Sequence, residues 1–114
     1  MLILVPTLGC HRDADPGRER PDLSGEVAGV TRIPDGSVQL LVKGITGTAA
    51  APDAVGIIVD GRTELWVRRA GRLVPASAED IRPADTVRVW HDGVELRSLP
   101  PQYHATRIVV IHAP

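Results

Sequence analysis

The chain has 114 residues, of which 43% are hydrophobic and 3% aromatic, so it has room for one compact domain and not for two. Its 13 Lys plus Arg and 14 Asp plus Glu give a formal net charge of -1, which removes the broad basic field that tracks a nucleic-acid backbone or holds a protein on anionic lipid. A single cysteine excludes an internal disulfide and a cysteine zinc cluster. The composition therefore does not indicate a ligand or a reaction.

The first ten residues read MLILVPTLGC, an apolar run that ends in Gly9 and Cys10. The run is too short to span a bilayer. It resembles the end of a lipoprotein signal, in which a small residue precedes the cysteine that receives lipid, although Thr7 stands where Leu is usual and no Lys or Arg precedes the run. We expect residues 1–10 to be a truncated lipoprotein signal-like segment with Cys10 as the lipid attachment residue. The alternative is a frayed apolar N-terminus or a strand with one buried thiol.

Residues 11–22 read HRDADPGRERPD, with charges of both signs and no apolar side chain larger than that of Ala14. Such a segment buries too little surface to order itself, so we expect a flexible tether that holds the folded domain away from a surface. An ordinary disordered tail is the alternative, and the two differ only in whether Cys10 carries lipid. With a lipid, the protein is expected to be an exported lipoprotein of the cell envelope.

From residue 23 onward, short runs rich in Val and Ile are separated by Gly, Pro and Asp, which is typical of strands and turns. The runs predict strands over residues 25–33, 37–43, 54–59, 86–90 and 105–112. A small hairpin is predicted over residues 63–74, a loop over residues 44–53, and a short strand over residues 94–98 that returns after a turn at Asp92-Gly93. Ser77, followed by Glu79 and Asp80, predicts one short helical turn.

Five principal strands with a short helical turn between the third and the fourth predict an all-β fold. The expected architecture is a small five-stranded antiparallel OB-like barrel over residues 23–114, with an extra short hairpin and one short helical turn. This order of elements fits an OB-like barrel better than a seven-stranded sandwich.

The C-terminal half contains the segments DIRPAD (80–85), VRVWHDG (87–93) and SLPPQ (98–102), followed by Ala105, Arg107 and Ile108. These segments resemble the YobA-like family of unknown function, small bacterial envelope proteins with a Gly-Asp-x-Val-x-Val-Trp strand, a Ser-x-Pro-x-Gln corner and an Ala-x-x-Ile final strand. The resemblance covers residues 24–112. It implies a lipoprotein signal ahead of the domain and implies no enzymatic activity. Ala84 stands where the family has Gly, Arg97 where an acidic residue is common, and Leu99 where an aromatic is common.

The candidate binding surface comprises Trp90, Arg97, Pro100 and Tyr103, which we expect to meet the 44–53 loop at one end of the barrel. Trp90 and Tyr103 are expected to pack around the stiff Pro100-Pro101 corner. The expected partners are the membrane, through the lipid anchor, and an unknown envelope protein or a small ligand. No cofactor, no metal and no nucleic acid are expected.

Catalytic motifs are absent from the sequence: it has no Gly-x-Ser-x-Gly elbow and no evident acid and base pair. We therefore expect a protein that is not an enzyme. His91, Asp92 and His104 would offer two nitrogens and a carboxylate to a metal if the closing strands pair. Turn and edge residues on a solvated face explain them equally well.

A basic and aromatic cluster surrounds Trp66 in the predicted hairpin, and it supports a rival interpretation. OB-folds bind single-stranded nucleic acid on such surfaces, so the alternative function is a soluble OB-type oligonucleotide-binding module. Arg is nearly the only cation in the chain, which makes some clustering expected from usage alone. The basic residues are Arg62, Arg68, Arg69 and Arg72.

Overall fold

The structure is a computed structural model that describes residues 20–46, 53–98 and 100–114. The lipid attachment residue Cys10, the signal-like segment 1–10 and most of the tether at residues 11–22 lie outside the described residues. Residues 47–52 of the predicted 44–53 loop also lie outside them, whereas residues 44–46 belong to a strand and not to a loop. The predictions made for these segments stay predictions.

Seven strands and one 3-10 turn follow one another in the described part of the chain. Most of the strands are rich in β-branched residues, which favour the extended backbone. They are β1 (Leu23–Arg32), β2 (Val38–Thr46), β3 (Ala54–Val59), β4 (Glu64–Arg69), β5 (Arg72–Pro75), β6 (Thr86–Leu96) and β7 (Gln102–Ile111), with the 3-10 turn (Ala78–Asp80) between β5 and β6.

Five of these strands form a closed barrel. Antiparallel ladders join β3 to β2, β2 to β1, β1 to β6 and β6 to β7, and a parallel ladder between β3 and β7 closes the circle. The prediction of a small all-β OB-like barrel with an extra hairpin and one helical turn is confirmed. The closing ladder is parallel, so the barrel is mixed, and closure leaves few backbone groups unpaired at its edges.

Strand β7 pairs with two neighbouring strands in succession along its length, and the second pairing fixes the position of the extra hairpin. Its first residues pair with β3, and its later residues pair in parallel with β4, from Glu64 opposite Arg107 to Val67 opposite Val110. The β4–β5 hairpin is thereby added outside the barrel. Its turn has positive φ at Ala70 (51°) and Gly71 (77°), as a tight type I′ turn requires.

Aliphatic side chains from alternate strand positions fill the barrel. Alternate residues of β2 and β3 point inward, and each fully buried Val, Leu or Ile contributes about 1.5–3 kcal/mol to folding. The core comprises Leu23, Val27, Val38, Leu40, Val42, Val55, Ile57, Val59, Val67, Ile81, Val87, Val89, Ala105, Ile108 and Val110.

The turn predicted at Asp92-Gly93 is wrong, because β6 continues through it to Leu96. The pairing with β7 shifts register between His91 and Glu95, and Gly93 has a φ of 85°. Asp92 Oδ1 accepts the Val94 N–H at 2.9 Å. Asp-Gly suits a bulge as well as a turn, since both need positive φ. The chain reverses later, between β6 and β7.

Among the described residues, Asp85 is the buried charged side chain, at 3% exposure. Its carboxylate accepts the backbone N–H of Arg82 at 2.9 Å and that of Ala113 at 3.1 Å, and it lies 3.0 Å from Nδ1 of His112. The preceding Ala84 has a φ of 79°. This turn therefore ties the start of β6 to the C-terminus.

Candidate functional site

One end of the barrel carries a two-stranded ribbon that comprises residues 91–98 and 100–105. The Gly56 N–H donates to the carbonyl of Pro101 at 2.8 Å, so the corner of the ribbon lies beside the start of β3. Asp22 lies at the same end, because its carboxylate accepts the His91 N–H at 2.9 Å. The chain thus passes into β1 next to the ribbon.

Trp90 and Tyr103 lie on opposite faces of the β6–β7 ladder, so the prediction that they pack together is wrong. Trp90 pairs with Arg107, but the next residue of β6, His91, pairs with Ala105. Thr106 is therefore an extra residue on β7, and a one-residue bulge reverses which face later side chains occupy. Tyr103 packs against the core, whereas Trp90 points outward.

Tyr103 lies on the ribbon with His91 and Glu95. The rings of Tyr103 and His91 stack with centroids 4.3 Å apart and planes 22° apart. The Tyr103 hydroxyl donates to Oε1 of Glu95 at 3.2 Å. Burial raises the pKa of Tyr103, and the hydrogen bond to the Glu95 carboxylate raises it further. The group is a neutral hydrogen-bond donor near neutral pH.

The other ribbon residues make an exposed, partly apolar surface. Val94 is 58% exposed and Leu96 is 48% exposed, and Arg97 is exposed beyond them. The hydroxyl of Ser98 donates to the carbonyl of Pro100, which is half-buried. Arg97, Pro100 and Tyr103 therefore lie at one end of the barrel, as predicted for the candidate surface, while Trp90 faces elsewhere.

Trp90 belongs to a second layer on the outside of the sheet. The guanidinium of Arg107 lies 5.4 Å from the centre of the Trp90 ring, and its Nε lies 3.5 Å from Oε1 of Glu64. The same Glu64 oxygen accepts the indole N–H of Trp66 at 3.0 Å. The Trp90 Nε1 is buried and has no hydrogen-bond acceptor among the described residues. Both tryptophans and Arg107 thus share one outer face.

Val109 lies beneath this layer. It is fully buried, yet it is not part of the core cluster, because Ile108 and Val110 on either side of it point inward. Its register partners are Trp66 on β4 and Arg88 on β6. Sequence reasoning missed the partners of Trp90 in this layer, because those on β4 and β7 are remote in sequence.

The histidines of the hypothetical metal site do not meet. Nε2 of His104 lies 3.0 Å from Oδ2 of Asp60. That contact, followed by the hydrogen bond from the Arg62 backbone N–H, lowers the pKa of Asp60 to about 2. His91 stacks on Tyr103 instead. Within residues 20–46, 53–98 and 100–114, no three His, Cys, Asp or Glu side chains are grouped to hold a metal ion.

The arginines predicted around Trp66 are divided between different surfaces. Arg62 lies in the turn before β4, where its guanidinium is 3.5 Å from Asp60. Arg68 is two residues from Trp66 and shares its face, whereas Arg69 pairs with Arg72 on the other face of the hairpin. The predicted single cluster is therefore wrong.

An open cleft of about 300 Å³ lies where the start of β1 meets the end of β2 and the start of β6. Its hydroxyls include those of Ser24 and Thr46, whose oxygens are 2.9 Å apart. Sequence reasoning missed the cleft because three strands contribute to it. The lining residues are Ser24, Gly25, Glu26, Lys43, Gly44, Thr46 and Thr86.

Comparisons with protein-family models, with curated proteins and with solved structures find no match. In the part of the chain that the structure describes, no helix combines the length and apolar character needed to cross a bilayer. Inference about function therefore depends on the residues and geometry of this chain.

Proposed function

We propose that this protein is a non-catalytic binding module of the cell envelope, anchored to a membrane by lipid on Cys10. The ribbon end of the barrel is its binding surface for an envelope protein or a small ligand. The observation that carries the proposal is the position of Asp22. Its carboxylate accepts the N–H of His91 in the ribbon, and its own N–H donates to the carbonyl of Val89 on β6 just before the ribbon. The segment that leads back to Cys10 therefore joins the domain beside that surface.

The roles of the titratable groups support a binding module over an enzyme. Asp85 with His112 holds the C-terminus, and Asp60 with His104 holds the turn before β4. Each carboxylate also accepts backbone N–H groups, which is a structural use of charge. These two pairs therefore stabilise the fold.

The sequence ahead of the domain supports the anchor. MLILVPTLGC has the apolar run, the small residue and the cysteine of a lipoprotein signal. Twelve residues separate Cys10 from Leu23, and a fully extended chain of that length reaches about 40 Å. The resemblance of residues 24–112 to the YobA-like family agrees with this position, since members of that family commonly follow a lipoprotein signal.

The ribbon chemistry indicates what a partner would offer. Val94 and Leu96 are exposed apolar side chains, Pro100 adds a rigid apolar ring, and Arg97 adds a positive charge. Exposed apolar residues beside a cation favour a partner with an apolar patch and a nearby carboxylate.

The anchor is tested by Cys10→Ser in cells that express the full chain, with Thr31→Ser as a matched control. We expect the wild-type protein and the control in the membrane fraction, with acyl chains in the mass of the N-terminal peptide. We expect Cys10→Ser in the soluble fraction. Retention of Cys10→Ser in the membrane fraction would exclude the lipid anchor.

The rival function is a soluble oligonucleotide-binding module. The outer face with Trp66, Trp90 and Arg107 favours it, because bases stack on aromatic side chains and arginines contact phosphates. Against it, the guanidinium of Arg107 already lies over the Trp90 ring. Fluorescence anisotropy of a labelled single-stranded oligonucleotide tests this function: no binding at low salt would remove it.

A further inference from the structure

We infer that this protein forms a two-fold symmetric dimer, in which the ribbon part of β6 pairs antiparallel with the same strand of a second copy. The contact surface is the open strand edge at residues 95–97. The inference deepens the proposed function, because it names a second copy of this chain as the partner of the ribbon. It rests on the proposed function for the role of the ribbon and not for the lipid anchor.

One side of β6 has no neighbouring strand in the ribbon. β1 pairs with β6 as far as Leu23, which lies opposite Val89. Asp22 adds the last bonds, from its N–H to the carbonyl of Val89 and from its carboxylate to the N–H of His91. Within the described part of the chain, no strand pairs with this side of β6 beyond that point. An unpaired strand edge is a surface on which another chain can add a strand.

The strand register determines which backbone groups this edge presents. The carbonyl of Pro101 accepts an N–H from β3, so every second residue from Pro101 onward directs its backbone groups at β3. Gln102 therefore faces β6 and bonds with Leu96, its register partner. The two neighbours of Leu96, which are Glu95 and Arg97, direct their N–H and C=O groups at the open side. These two are the edge residues.

Side chains cover the backbone groups that precede the edge residues. Nδ1 of His91 accepts the Gly93 N–H at 3.0 Å, and Oδ1 of Asp92 accepts the Val94 N–H at 2.9 Å. Among the described side chains, none accepts an N–H of the edge residues. An added strand can therefore pair only from Glu95 onward, and this limits the possible registers.

A single two-fold register uses both edge residues of both copies. Two opposite residues exchange hydrogen bonds only when both direct their backbone groups at the partner strand. Glu95 opposite Arg97 of the second copy meets this condition, and the two-fold axis repeats the contact. The axis then passes between the two Leu96 residues, which lie directly opposite each other. Pairing Glu95 with itself would instead place Arg97 opposite Gly93, whose N–H is already bonded.

The side chains are complementary in this register. Each Glu95 lies opposite an Arg97, and opposite charges on directly paired residues stabilise a ladder. Oε1 of Glu95 accepts the Tyr103 hydroxyl, which leaves the second oxygen for the guanidinium. Val94 and Leu96 are the large hydrophobic side chains that are exposed in the described residues, at 58% and 48%. The two copies of each would form one apolar patch across the axis. This self-complementarity favours a second copy as the partner.

The pairing is short, so the interface falls in the size class of weak and transient contacts, below about 1,200 Å². Chains that are tethered to one membrane are held at high effective concentration, which favours a weak contact. In solution we expect the dimer fraction to rise with protein concentration between about 10 µM and 1 mM.

Cysteine cross-linking of the full chain tests the register. The background variant is Cys10→Ser, which removes the single native thiol. Leu96→Cys places two thiols across the axis, in a pair whose Cα atoms are about 4.5 Å apart, as a disulfide requires. Val94→Cys is the matched control: it is similarly exposed but lies about 14 Å along the strand from its copy. We expect Leu96→Cys to form the covalent dimer at least about tenfold faster than Val94→Cys.

Charge exchange tests the partner by sedimentation velocity in the same Cys10→Ser background. Arg97→Glu and Glu95→Arg each place like charges opposite each other twice, so each alone should weaken the dimer about tenfold or more. An equimolar mixture of the two should restore association, because every pair is then Glu opposite Arg. Arg32→Glu makes the same charge change at the far end of β1 and should leave the dimer unchanged.

A further variant separates loss of pairing from loss of folding. Glu95→Arg removes the acceptor of the Tyr103 hydroxyl, so thermal melts must establish that it is folded. Leu96→Asp leaves that hydrogen bond in place and puts two carboxylates opposite each other on the axis. We expect Leu96→Asp to melt like the background variant and to remain monomeric.

The inference is overturned by a chain that stays monomeric up to about 1 mM and cross-links Leu96→Cys no faster than Val94→Cys. A dimer that keeps its full strength in Arg97→Glu overturns it as well, and so does a mixture of the two charge variants that fails to associate. These measurements use Cys10→Ser protein in solution, so their result is independent of acylation. Release of Cys10→Ser from membranes tests the anchor separately.

Discussion

Gly25 on β1 is a position where a single methyl group should strongly destabilise the barrel. A Cβ at Gly25 would lie 2.5 Å from the backbone oxygen of Lys43 and 2.7 Å from Cγ1 of Val42. The backbone oxygen is fixed, because Glu26 pairs with Lys43 in the β1–β2 ladder. On the same strand, a Cβ at Gly29 would meet only Cβ of Leu41, at an ordinary 3.9 Å.

The expected magnitudes follow from two opposing effects. Replacing Gly by Ala reduces the freedom of the unfolded chain and stabilises the protein by about 0.4–1 kcal/mol where space allows. Overpacking a well-packed site costs about 1–3 kcal/mol, and more where backbone must move. We therefore expect Gly29→Ala to be neutral or slightly stabilising and Gly25→Ala to lower the free energy of unfolding by about 2 kcal/mol or more.

Urea unfolding followed by tryptophan fluorescence measures both variants against the wild type, and thermal melts followed by circular dichroism provide a second measurement. At about 4–8 °C per kcal/mol for a domain of this size, Gly25→Ala should melt roughly 10 °C or more below Gly29→Ala. Melting temperatures within about 2 °C of each other would contradict the close approach of β2 at Gly25.

Three further predictions concern single side chains. Asp85→Ala removes the acceptor for two backbone N–H groups and for His112, so it should lower the free energy of unfolding by about 2–4 kcal/mol in urea titrations; Asp85→Asn, which keeps one oxygen, should cost less. Ala84→Gly removes a side chain that disfavours a φ of 79° and should raise stability by about 0.5–1 kcal/mol, and a lower melting temperature would refute this. Tyr103 is the single tyrosine, so absorbance titration should give its midpoint above the ordinary 10.0. Glu95→Gln should lower that midpoint but leave it above 10.0, because burial is the larger cause of the raised pKa. The folded state holds the Tyr103 proton more tightly than the unfolded chain does. The stability that follows from this difference is complete below pH 10 and is lost as pH rises through the folded-state pKa.

Local pattern was sufficient for most strands. β3 has the predicted bounds of residues 54–59, since its alternating Val and Ile have one buried face and its flanks carry Asp and Gly. The Ala70-Gly71 hairpin and the turn after Ser77 were also predictable, because turn chemistry acts over two to four residues. The bounds of β2 were less accurate: it extends to Thr46, where pairing with Ser24 continues past the last alternating residue.

The candidate site was predictable only in part. Arg97, Pro100 and Tyr103 were assigned to one end of the barrel from the corner they form. The layer of Trp66, Trp90 and Arg107 was not found, because its members come from β4, β6 and β7. A single extra residue, Thr106, decides that Trp90 and Tyr103 face opposite ways, and no local signal marks a bulge that depends on the partner strand.

The sequence by itself determined that this protein is a small all-β domain, because alternating aliphatic side chains and short turns are properties of neighbouring residues. The tertiary structure alone decided that a parallel ladder between β3 and β7 closes the barrel, that Asp92-Gly93 is a bulge, and that both tryptophans share an outer face. Each of these depends on the register between paired strands, where a shift of one residue moves every later side chain to the other face.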